Sequence, residues 1–409
     1  MIRFLRHHVE GLSQEALARM CGVAQSTIAR AEAGRGLTDR RKAIEALQGL
    51  GAPLKTEEPH LPQPRAASSA ESPTPEAGIG AGDGVDGSAV LGSLWRNVVE
   101  GSTAEAVTAF RLADQRAGGG HLYTLVMRYL SSRIGPALVS ESGTPATFVA
   151  AAGLTEMAGW MAHDAGRDDV AANHFQRALN LARAGGTEAL TAQIWASRAH
   201  LALHRDDTKN ALLAAEQAWR HLDGTEDTAL RGRVLAMLTR AHAACKDTTT
   251  ARTFLRQGEH LLSVPVSPPT SEWTSPFDLA SLAGEAARSM CDLGDHGAAA
   301  EHAHHALSLR SPERVRARLL ASLTLAQALI GQRKAEEAAG LVAEAGTVTT
   351  EVGSAVAGAR FQEVRAALAS YRNVPAVATV LSQTGKAPHG SPAQASHRSG
   401  RTDEGAHDG

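Results

Sequence analysis

The chain has 409 residues, a formal net charge of −2, 43% hydrophobic residues and only 4% aromatics. That length accommodates two or three domains at about 150 residues each, and the near-neutral balance excludes a general polyanion binder. No apolar run approaches the ~20 residues that span a bilayer, and the three cysteines, at 21, 245 and 291, fall in no metal or redox spacing. The expected setting is therefore a reducing cytoplasm without a signal peptide or membrane contact, with the cysteines as small core residues.

Residues 12–34, LSQEALARMCGVAQSTIARAEAG, carry the first elements. Ser13 can cap a helix, since its hydroxyl accepts an otherwise orphan backbone N–H. Gln14 to Met20 then place Ala16, Leu17 and Met20 on one helical face. Gly22 supplies the positive φ of a tight turn, and Val23 packs between the two helices. A second helix over 25–33 turns Ile28 and Ala31 inward. Gln25, Ser26, Thr27, Ala29 and Arg30 are left on the outer face. Gln pairs bidentately with adenine, Arg with guanine, Thr touches the thymine methyl and Ser bonds several bases. Eight Arg and Lys against five Asp and Glu give residues 1–51 a local net charge of +3, modest for a DNA reader acting alone.

This stretch resembles the phage-repressor (Cro/C1-type, XRE) helix-turn-helix family, through GLSQEALA at 11–18, the turn at Gly22-Val23, and STIARAEAG at 26–34. The resemblance implies that Gln25, Ser26, Thr27 and Arg30 read base edges. It also implies that Gln14 and Arg35 hold phosphates. Two features depart from the family: Ala24 stands where a Ser or Thr cap is usual, and the segment before residue 12 recovers the family's first helix only loosely.

Residues 52–90 read as a flexible linker, interrupted by prolines at 53, 59, 62, 64, 73 and 75 and ending in the glycine-rich run GIGAGDGVDGSA. Residues 91–381 read as helix after helix with no strand alternation, and 382–409 as an unstructured tail. The fold class is thus all-α: a small helix-turn-helix domain (1–51), the linker, and a larger helical array. Helices at about 91–115 and 121–138 are expected to begin the array and 354–371 to cap it.

Within that array the spacing of Gly159, Gly166, Ala171, Phe175 and Ala178-Leu179 resembles the tetratricopeptide (TPR) pattern, in which small residues let two antiparallel helices approach and an aromatic fills the gap. Counterparts of Ala171 fall at Ala211, Ala251, Ala299 and roughly Ala335, giving periods of about 40, 40, 48 and 36 residues. The proline-rich segment 264–276 is expected to break the array between the third and fourth repeats. Solenoids of this kind expose a concave groove lined by each repeat's first helix. The resemblance implies that Glu156, Trp160, His163, Ser197, His200, His204, Arg240, Glu285 and Arg288 face it. Their mixed charge is unlike the Lys/Asn carboxylate clamp of chaperone-binding TPR domains.

No metalloprotease, serine-hydrolase, nucleotide-binding or kinase signature occurs. His296, His302, His304 and His305 read as a solvated helix face, so no catalytic residue, metal or cofactor is expected. The whole resembles the actinobacterial regulators that join an XRE-type helix-turn-helix to a TPR-like domain. That resemblance implies a homodimer on double-stranded DNA, with a peptide, small-molecule or protein effector in the groove. The alternative is a TPR adaptor whose helix-turn-helix has degenerated.

Overall fold

The structure is a computed structural model that describes residues 25, 26, 29, 102–117, 122–139, 144–263, 273–350 and 352–383; every regular element among them is helical. Helix α1 (Thr103–Ala117) is followed by α2, which runs from Tyr123–Tyr129 through a π turn at Leu130–Ile134 into Gly135–Val139. Five helical hairpins come next: α3 (Pro145–Asp164) with α4 (Asp168–Ala184), α5 (Glu188–His204) with α6 (Thr208–Arg220), α7 (Thr228–Ala244) with α8 (Thr248–Leu262), α9 (Leu279–Leu293) with α10 (His296–Leu309), and α11 (Val315–Gly331) with α12 (Ala335–Thr349). Helix α13 (Ala355–Leu368) was the expected cap, but α14 (Pro375–Gln383) follows it and packs on α12.

One local rule builds each hairpin. A residue with left-handed backbone closes the first helix, and five residues later a fully buried alanine begins the inward face of the second. The pairs are Gly166 with Ala171, Asp206 with Ala211, Lys246 with Ala251, Gly294 with Ala299, and Arg333 with Ala338. The fourth counterpart of Ala171 is therefore Ala338 rather than Ala335, which opens α12 three residues earlier. Carboxylate caps fix several starts: Asp207, Asp247 and Asp295 accept from the backbone N–H of Asn210, Thr250 and Ala298, each typically contributing about 1 kcal/mol.

Small residues set the closeness of the pairs. At Gly159 an added Cβ would lie 2.5 Å from the Phe175 ring, so α3 and α4 approach at a distance only glycine permits. Ala215 occupies the position of Phe175 in the next hairpin, and both are fully buried. Helix α3 is buried nearly all round, whereas α4, α6 and α8 bury one stripe. The first helices form the inner layer and the second helices the outer one.

The array closes on itself. Helix α1 packs against α11, and α3 against α13. Arg316 on α11 clasps the junction, reaching Asp114 on α1 at 2.9 Å and Asp164 on α3 at 2.8 Å. Ser354, the cap of α13, donates to the second oxygen of Asp164 at 2.5 Å. Burial pushes the Asp114 carboxyl up despite Arg316, while the two carboxylates together outweigh burial at Arg316 and raise it. The expected open groove is thus a ring around a central cavity.

The segment read as a break does more than interrupt. Residues 273–275 lie against the inner layer, where the Trp273 carbonyl accepts from Arg111 and Gln193, and the Ser275 N–H donates to Gln193. Thr274, buried, donates to Asp227, whose other oxygen caps α7. The Trp273 ring lies over Gly153, where an added Cβ would meet it at 2.8 Å.

Candidate functional site

The inner helices enclose a cavity of about 380 Å³, within the range of small-molecule sites. Six of the nine expected groove residues line it: Glu156, Trp160 and His163 from α3, His200 from α5, and Glu285 and Arg288 from α9. The other three are placed around it. Ser197 lies buried behind Glu156, Arg240 is buried beside Glu285, and His204 is exposed next to His163.

Glu156 is the hub of a buried network. Its carboxylate accepts from Ser197 at 2.6 Å, Gln193 at 2.6 Å and the Trp160 indole at 3.2 Å. Trp160 also donates to Ser197, as does Arg233 at 2.9 Å. Arg233 stands 3.9 Å from the Glu156 carboxylate. A fully satisfied network of this kind fixes side-chain positions rather than offering free acceptors. Glu156 and Ser197 therefore hold the wall, and Trp160 forms its surface.

On the opposite wall Glu285 accepts from Arg240 at 3.2 Å. Burial acts against its charge, yet Arg288 and Arg240 hold its carboxyl below the ordinary range. Around Trp160 stand three imidazoles: His200 packs edge-on to the indole at 4.9 Å, and His163 packs against both His200 and His204. Burial, reinforced by Arg240 and His163, pulls His200 well below the usual imidazole value, and burial followed by His163 lowers His204.

His163, Asp168 and His204 bring three ligand-type groups within 4.8 Å of one another. Asp168 is nevertheless committed to His163 at 2.7 Å and faces Arg205 at 3.8 Å. A guanidinium beside the carboxylate opposes a second cation there, and the cluster reads as an ion-paired helix turn. The four histidines of α10 do not converge on a metal set: His304 and His305 are exposed, and His302 stands 4.0 Å from Glu259. Of the cysteines, Cys291 is half-buried and burial pushes its thiol up to about 11. Cys245, expected in the core, is exposed at the C-cap of α7, and Cys21 lies outside the described residues.

Sequence reasoning missed Arg233, Met237, Arg310, Arg316 and residues 275–277 as cavity residues. A signal for Arg233 was present: it precedes Arg240 by seven residues, two turns along one face of α7. Arg310 and Arg316 flank the α10–α11 connection; Arg310 reaches back to the Ala280 carbonyl of α9, and only ring closure brings Arg316 to α1 and α3.

In the N-terminal segment Gln25 and Ser26 are helical and exposed, as a base-reading face requires. Ala29, expected on that face, is half-buried and marks its edge. Gln14, Thr27, Arg30 and Arg35 lie outside the described residues, as do the linker and the tail. Residues 2–61 match the family model of a helix-turn-helix domain, a span that includes 12–34 and continues beyond residue 51. No curated protein matches the chain. No helix among the described residues is long and apolar enough to cross a membrane. The chain thus joins an N-terminal helix-turn-helix domain to an all-α, repeat-like ring, which suggests a DNA-binding regulator.

Proposed function

We propose that the protein is a sequence-specific transcriptional regulator of the XRE type, in which the helix at 25–33 reads DNA and a TPR-like ring senses an effector. The observation that carries this reading is the helix-turn-helix match over residues 2–61. The exposure of Gln25 and Ser26 supports it, because a base-reading face must be accessible from solvent. For the ring, support comes from the five-residue rule of its hairpins and from the convergence of six expected groove residues on one cavity.

The domains divide at about residues 51, 90 and 381, with the ring as the larger part. The small, weakly charged reader works as a homodimer, placing two recognition helices about 34 Å apart on a partly palindromic operator in the cytoplasm. Gln14 and Arg35 hold phosphates and Arg30 reads a guanine. On an operator selected by the purified full chain, Arg30→Ala should cost about 1–3 kcal/mol and relax one base position. An Arg30→Ala protein with unchanged affinity and footprint would overturn that assignment. If the intact chain selects no DNA and instead copurifies a protein through its ring, the adaptor reading replaces this one.

A further inference from the structure

The cavity is lined by Arg111, Arg233, Arg288, Arg310 and Arg316 against the carboxylates Asp114, Glu156, Asp164 and Glu285, which leaves one guanidinium in excess. Arg233, Arg240, Arg288 and Arg310 gather around Glu285 and Glu156. Glu156 is saturated by Ser197, Gln193 and Trp160. Glu285 accepts from Arg240 alone at hydrogen-bond distance. Arg310 donates one Nη2 bond to the Ala280 carbonyl, and its Nε is buried without a partner; the Arg240 Nε is likewise orphaned. Arg288 lines the cavity and makes no hydrogen bond or ion-pair contact among the described residues, although Glu285 lies within electrostatic reach. Burial is the leading influence on Arg288 and Arg310 and lowers both.

Buried guanidiniums are normally matched by carboxylates or acceptors, because desolvating an unmatched charge is costly. A bound oxyanion that accepts from these donors would remove that cost. Met157, Met237, Phe277 and Leu320 give the same space an apolar part. Guanidinium favours planar or tetrahedral oxyanions through paired donors.

We propose that the ring cavity binds a small amphiphilic anion, its carboxylate or phosphate head held by Arg288 and Arg310 and its apolar body by the methionines and Phe277. This deepens the reading of the ring as a sensor and rests on it only for the consequence of binding, since occupancy itself requires no DNA.

Calorimetric titration of the full chain with decanoate, decyl phosphate and uncharged decanol tests it. The expected result is saturable binding of at least one anionic probe, tenfold or more tighter than decanol. Arg288→Met should lose at least tenfold in that affinity, and Arg288→Lys less. Arg288→Met should keep the helical far-UV circular-dichroism spectrum of the parent, so that the lost affinity is read on a folded chain. Equal affinity for decanol and both anions would overturn the proposal, as would absence of binding by either anion. So would an Arg288→Met chain that binds the anion as well as the parent. Loss of DNA selection with anion binding intact would instead count against the regulator reading alone.

Discussion

His174 illustrates how one buried residue shapes the behaviour of the ring. It is almost fully buried, its Nε2 meets the Tyr123 hydroxyl at 3.0 Å, and its Nδ1 has no partner. Burial, then Arg177 and Arg167, pull it from 6.5 down to about 4. The folded chain therefore takes up this proton later than the unfolded one. Its contribution to stability is complete above about 6.5 and is lost as pH falls toward 4, with a slope of at most ~1.4 kcal/mol per pH unit. Glutamine keeps a polar partner for Tyr123 without titrating. His174→Gln should therefore flatten the acid limb of the melting-temperature profile between 6.5 and 4. An unchanged limb would show that His174 is not held neutral by its surroundings. Residue types of this sort were only partly legible. Glu156 and Trp160 followed from position in the repeat, but their roles as network hub and cavity surface depend on Gln193 and Ser197, which a neighbouring helix supplies.

Helix pairs were the most legible level. The interval from Gly166 to Ala171 is repeated at every turn, yet three of the left-handed positions are Asp206, Lys246 and Arg333. A non-glycine residue there costs about 1–2 kcal/mol and leaves no mark in the sequence, so the fifth alanine was placed three residues early. The same packing rule gives a direct test. Gly159→Ala would drive a methyl group into the Phe175 ring, which is fully buried and cannot retreat. Overpacking of this kind should destabilise the chain by about 1–3 kcal/mol in chemical denaturation. A variant as stable as the parent would mean that α3 and α4 separate freely. The segment at 273–275 was hidden for a different reason. The prolines at 265, 268, 269 and 276 beside it predict a break, whereas its inward fold depends on Gln193, Asp227 and Arg111 from distant helices.

At the scale of the molecule, ring closure was the least legible feature. Arg316 and Asp114 are 202 residues apart, and they meet because small rotations between successive hairpins accumulate. Closure converts a groove into a cavity and gathers the arginines around Glu285. The central claim is that the N-terminal reader selects sequence, with Gln25 and Ser26 presented outward on its second helix. Sequencing the fragments that purified full-length protein retains from a random DNA pool, at physiological salt, tests it most directly. The account predicts one enriched, partly palindromic motif with half-sites about one helical turn apart. Retention of fragments with no enriched motif would contradict it.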